Sequence, residues 1–198
     1  RAQIGLHKHV PKWDSGLKLK YVIRTETFRT PNEAVYVASK FAAAIASWGT
    51  EIGVTFCSVQ RDAEAHFCVV YKDTPDDGSK DVLAQVFFPN DGPPEDRTVY
   101  IHATSFEPQH INNQIGILAH EVGHILGLRH GFAKTEEPEW SIRFGQRYKS
   151  SVMERHDNTA LYRVTDNDRR QVKEFYRSTK KTMDGRDVKT FIPQEHRY

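Results

Sequence analysis

The feature that most restricts this chain is the run HEVGHILGLRH at residues 120–130, in which three histidines, a glutamate and two glycines stand at set intervals. His120 and His124 are four residues apart, slightly more than one helical turn, so a helix projects both imidazoles from one face toward a common point. The helix itself is written into the preceding residues. Ile111, Ile115, Leu118, Val122 and Ile125 recur at three- and four-residue steps and predict an apolar face along INNQIGILAHEVGHILG. Gly127 then permits a backbone conformation that turns the chain out of the helix and lets His130 return to the same point.

Three imidazoles on one ion leave a coordination position open, which is the arrangement of a catalytic rather than a structural zinc. Zinc so held acidifies water and polarises a carbonyl. Glu121, adjacent to the first ligand, is placed to accept the water proton and pass it to a leaving amine. The expectation is therefore one zinc ion on His120, His124 and His130, with Glu121 as general base and acid. A packing helix would need these residues to fall at these spacings by coincidence.

Together with SSVM at 150–153, the motif resembles the metzincin clan of metalloproteases, and within it the matrixin and related microbial secreted branches. The resemblance implies an α/β (α+β) zincin with a twisted mixed five-stranded sheet, two long helices and a C-terminal helical subdomain. It implies one catalytic domain over residues 1–198, with an upper portion to about 127 and a lower portion from about 128. It also implies an endopeptidase that cuts internal bonds of polypeptides, acting as a monomer outside the cell. Met153 is expected in a tight turn beneath the zinc as a hydrophobic floor. LAQVFFP at 83–89 resembles the edge strand that pairs with an extended substrate, which makes Leu83, Ala84 and Gln85 substrate-binding candidates. Trp140 and Tyr148 fall in the loop where the family builds the wall of the pocket for the side chain after the cut.

Three positions depart from the pattern. Gln85 stands where matrixins carry a histidine for a second, structural zinc; His102 matches another ligand of that site but lacks this partner, so one zinc is expected. Gly131 follows the third histidine where astacins have glutamate and matrixins usually serine. Arg155 lies two residues beyond Met153, where astacins and serralysins have a metal-reaching tyrosine; a guanidinium stays protonated and has no lone pair for an ion. Arg155 is read either as a contact to a substrate carboxylate or as part of a structural pair. Gly131 and Arg155 motivate a rival function, a peptide-binding or inhibitory pseudoprotease; a second rival is a hydrolase of non-peptide amides, since the same activated water can attack other carbonyls.

The remaining residues predict a sheet and two more helices. LKLKYVIRT alternates Leu17, Leu19, Tyr21 and Ile23 against mostly polar neighbours, a half-exposed strand, and IGVTFCSV, AHFCVVY, VLAQVFFP and RTVYIHATSF read as further strands. Val37, Phe41, Ala44, Ile45 and Trp48 recur at helical spacing between Pro31 and a stop at Gly49. A final helix is predicted in TDNDRRQVKEFYRST, capped by Thr165 or Asp166, with Val172, Phe175 and Tyr176 on its apolar edge. The leader, the stretch 128–153 and the tail TMDGRDVKTFIPQEHRY carry no clear period.

Composition enters as exclusion. Lysine and arginine number 28 against 26 acidic residues, a formal net charge of +2, too little field to attract nucleic acid or an acidic membrane. No run approaches the roughly 20 apolar residues of a membrane helix. The chain opens at Arg1 without an initiator methionine, as a processed or a trimmed form would. Cys57 and Cys68 flank QRDAEAH, long enough for a hairpin, and a disulfide between them is expected; an oxidised pair favours an extracellular compartment. His7, His9, His66 and His110 read as surface or packing residues. Neither DTPDDGSKD nor PNDGPPED completes an EF-hand, so calcium has no support in the sequence.

Overall fold

A computed structural model describes residues 2–6, 8–133, 141–146 and 148–195. The central sheet has five strands: β3 (Lys18–Ile23), β4 (Thr55–Ser58), β5 (Phe67–Tyr71), β6 (Ala84–Gln85) and β7 (Thr98–Ile101), in the order β4-β3-β5-β7-β6. The first four in that order run parallel and β6 pairs antiparallel with β7, Ala84 opposite Ile101 and Gln85 opposite Tyr100. The sheet is the mixed five-stranded sheet expected. Its edge strand β6 is shorter than VLAQVFFP suggested, because only two residues pair before Pro89 and the turn-rich segment beyond it break the ladder.

Two helices pack on this sheet. α1 (Pro31–Trp48) starts where Thr30 accepts a hydrogen bond from the Glu33 amide and Pro31 pre-sets the first turn; it stops at Gly49, φ 80°. Ala34, Val37, Phe41, Ala44 and Trp48 are its buried face. Tyr21, Phe41 and Phe67 form an aromatic cluster between helix and sheet, with centroids 5.1–6.3 Å apart. α2 (Gln114–Ile125) follows a short 3-10 turn at Ile111–Asn113. It buries Ile117, Leu118, Val122 and Ile125, while Ile115 faces outward, against the expectation that it lay on the apolar stripe. The Trp48 indole donates to the Ala119 carbonyl at 3.0 Å, locking the two helices in register.

The last helix, α3 (Asp166–Arg177), begins with a capping box: the Thr165 hydroxyl accepts from the Asp168 amide while the Asp168 carboxylate accepts from the Thr165 amide. Val172, Phe175 and Tyr176 are buried as expected.

The leader, the loop and the tail, aperiodic in sequence, build two small sheets. β1 (Ala2–Ile4) lies between β8 (Leu128–Arg129) and β9 (Ile142–Phe144), antiparallel to both. β2 (His9–Trp13) pairs in parallel with β11 (Arg186–Phe191), which pairs antiparallel with β10 (Thr182–Met183). Lys12, also from β2, donates its ammonium to the Tyr176 and Ser178 carbonyls at 2.9 and 3.0 Å, capping the end of α3 with a cation. β1 and β2 thus pair with strands from the C-terminal part of the chain. Among the described residues no helix is long and apolar enough to cross a membrane.

The expected disulfide is not formed: Cys57 and Cys68 are both free thiols, the first exposed and the second buried. The hairpin premise fails because β4 and β5 flank β3 on opposite sides, Cys57 pairing with Lys20 and Cys68 with Val22. Two strand spacings separate the cysteines by roughly 10 Å, beyond the ~7 Å Cα separation a disulfide tolerates.

Candidate active site

α2 carries His120 and His124, and the exit from the helix delivers His130. Gly127 adopts φ 93°, and a Cβ there would stand 2.9 Å from the Pro11 carbonyl oxygen, so both backbone and space call for glycine. The turn brings the Leu128 carbonyl back over α2, where it accepts from Nδ1 of His124 at 2.7 Å. Nδ1 of His120 donates to the Val152 carbonyl at 2.7 Å. With their ring protons committed at Nδ1, His120 and His124 present Nε2 lone pairs inward.

Those lone pairs meet His130. Its Nε2 stands 3.2 Å from Nε2 of His124 and 3.2 Å from Nε2 of His120. Four ligands at 2.0–2.1 Å around zinc define a tetrahedron with edges of roughly 3.3 Å, so the triangle of nitrogens fits that ion. Among the described residues it is the one group of three or more ligating side chains close enough to hold a metal.

Burial sets the electrostatics. It pushes the His120 imidazole down to about 4 and holds the His124 imidazole well below its usual value, which keeps both rings neutral and able to ligate at physiological pH. Glu121 retains some surface open to the cleft, yet protein packs closely enough around its carboxyl that desolvation pushes it up to about 8. A cation beside it acts in the opposite direction and favours the carboxylate.

Below the triad the Met-turn presses on α2. A Cβ on Gly123 would fall inside contact distance of Met153 Sδ and 3.2 Å from Met153 Cε and Trp48 Cζ2, so the glycine within the motif is the space the methionine occupies. Met153 is buried at 3% exposure. The turn is held from α3: Asp168 accepts from the Ser151 hydroxyl at 2.5 Å and from the Val152 amide at 3.2 Å.

The edge strand lies along the opening. Ala84 and Gln85 line a cavity of about 330 Å³ together with Glu121, His124, Arg129 and His130. Leu83 lines a neighbouring cavity of about 490 Å³ with His110, His156, Thr159 and Tyr162. Tyr162, whose phenol is pushed up by burial, meets the His120 ring edge-on at 5.1 Å and joins the two regions. Tyr162 and His156 carried no motif in the sequence; their placement depends on chain segments that only the fold brings to the histidines.

The other residues singled out in the sequence have surroundings of their own. Tyr148 sits in a small enclosed space under the Met-turn with Met153, Glu154 and Asp168; its hydroxyl donates to Gln146 at 2.9 Å and accepts from Arg170 at 3.0 Å. Arg155 lies over the Phe132 ring, 4.3 Å from its centroid. His102 is fully buried, with Nδ1 on the Lys72 carbonyl at 2.9 Å and Nε2 on the Gln85 side chain at 3.1 Å, so both ring nitrogens are engaged by protein. His66 accepts from the Lys20 amide at 3.1 Å and His9 packs edge-on to Phe191. Trp140 and His7 lie outside the described residues.

Two solved structures of myroilysin share this fold. One superposes with a TM-score of 0.62 at 13% identity, covering 89% of this chain and 99% of the other. The second gives 0.58 at 15% identity, covering 88% and 92%. No curated protein matches the chain significantly. The family profile described as matrixin matches residues 12–177, a span that holds the five-stranded sheet, the described helices α1, α2 and α3 and the histidine triad. The chain belongs to the matrixin family and is a zinc-dependent metalloendopeptidase.

Proposed function

We propose that this protein cleaves internal peptide bonds of extended polypeptides laid along β6, with Glu121 as the proton carrier. The observation that carries the proposal is the convergence of three Nε2 atoms, His130 standing 3.2 Å from each of the other two, with the ring protons of His120 and His124 held at Nδ1 by backbone carbonyls. Zinc held there supplies an acidified water and a polarised scissile carbonyl. The Glu121 carboxylate takes the proton from the attacking water and returns it to the departing amine, a shuttle that needs one carboxyl facing the open side of the triad.

β6 supplies alignment. It is the last strand of its sheet, and backbone groups of Ala84 and its neighbours offer a template for an added substrate strand whatever its side chains. Leu83, Ala84 and Gln85 serve as substrate contacts, with cavities on either side of the triad receiving side chains before and after the cut. Such a two-sided cleft supports internal cleavage. Met153 acts as the apolar floor. The catalytic unit is taken as residues 1–198, a monomer divided near 127/128. Secretion is proposed on the resemblance of the motif to the secreted branches.

Glu121→Ala tests the assignment. The variant should retain one zinc per chain while peptide cleavage falls by about 10²–10⁴-fold, the usual contribution of a general acid–base. A variant that holds zinc and cleaves at the wild-type rate removes Glu121 from the mechanism.

A further inference from the structure

The third ligand, His130, lies beyond the helix that carries the other two, on a segment cross-linked to the Met-turn residue by residue. The Gly131 amide donates to the Met153 carbonyl at 2.8 Å. The Glu154 carboxylate packs on the Gly131 backbone, so that a Cβ there would overlap it. One residue further, the Arg155 guanidinium covers Phe132 at 4.3 Å, and the Phe132 ring lies parallel to the His130 imidazole, 4.8 Å away at 9°. Phe132 thus touches both the guanidinium and the imidazole and joins them in one column of contacts.

We propose that Arg155 is a positioning residue for the metal centre, holding the His130 imidazole in its ligating plane through the ring of Phe132. The attraction of a cation for a π face fixes the tilt of Phe132. The stacked imidazole must then follow that tilt, because parallel rings in contact rotate together or lose contact. His120 and His124 have their planes set by carbonyls at 2.7 Å; the column gives the third ring its own restraint, anchored in the same turn that carries Met153. The residue two past the methionine thereby serves the metal without touching it. The inference rests on the zinc reading above.

The test is the zinc affinity of the full chain, measured by competition with a chromophoric chelator, for wild type, Arg155→Lys, Arg155→Met, Phe132→Leu and the double variant Arg155→Met/Phe132→Leu. Circular dichroism and thermal unfolding establish that each is folded. Arg155→Met and Phe132→Leu should each weaken zinc binding roughly tenfold, the lower end of what loss of a ligand-supporting contact costs. Arg155→Lys keeps the cation and should stay within about threefold of wild type. The double variant should bind no more weakly than Phe132→Leu, since the proposed restraint passes from the cation to His130 through that ring. Wild-type affinity in Arg155→Met, or two losses that multiply in the double variant, overturns the proposal. If Arg155→Met fails to fold, wild-type affinity in Phe132→Leu overturns it as well. A wild-type chain that does not bind zinc overturns the underlying zinc reading instead, which keeps the two failures distinct.

Discussion

Gly131→Ala should destabilise the protein through a single neighbour. A Cβ at this position would fall inside contact distance of Glu154 Oε1 and Cδ and 2.9 Å from Oε2, and Glu154 is buried at 7% exposure. Overpacking of a tight site costs about 1–3 kcal/mol. Replacing glycine at a backbone geometry open to other residues returns about 0.4–1 kcal/mol by restricting the unfolded chain. The net expectation is a loss of about 1–2 kcal/mol. For a chain of this size that lowers Tm by about 2–8 °C. Thermal unfolding of the zinc-loaded protein reads the effect, and a double-mutant cycle with Glu154→Ala isolates its cause. Glu154→Ala alone destabilises by removing a buried carboxyl with its partners, but on that background Gly131→Ala should become neutral or stabilising by up to about 1 kcal/mol. If Gly131→Ala costs the same with and without the Glu154 side chain, Glu154 is not the reason for glycine after the third histidine, and the argument fails.

Trp48→Ala removes a fully buried indole and its hydrogen bond to Ala119, so it should cost about 3–5 kcal/mol; a denaturant midpoint close to wild type would contradict the helix–helix lock. In thiol titration of the native protein Cys57 should react quickly and Cys68 slowly, because Cys68 is buried and burial pushes its thiol up. Both should react after denaturation without reductant, whereas a protein lacking free thiols would contradict the strand order β4-β3-β5. Cleavage should also stop on treatment with a strong zinc chelator and return on adding zinc; chelator-resistant cleavage would contradict the role of the triad.

Much of the site was legible because its geometry is local. A four-residue step in a helix, a glycine exit and a third histidine within eleven residues specify a convergence point without reference to the rest of the chain. The five-stranded sheet and three helices were legible for a related reason: hydrophobic period and caps such as Thr165 act over a single element. Gln85 was visible as a departure from the family pattern, and the fold brings its side chain to 3.1 Å from Nε2 of His102.

What only tertiary structure decided are pairings between residues far apart in sequence. Gln3 opposite Arg129 and Val10 opposite Val188 turn an aperiodic leader, loop and tail into strands, and no local period announces a two- to six-residue strand whose partner is over a hundred residues away. The cysteine hairpin failed for the same reason: eleven residues suffice to join adjacent antiparallel strands, but strand order is a property of the whole sheet, and β3 lies between the two. Arg155 on Phe132, and Tyr162 against His120, likewise depend on how the lower segments fold back under the helix. Local stereochemistry thus wrote the metal ligands into the chain, while long-range packing chose the side chains that surround them.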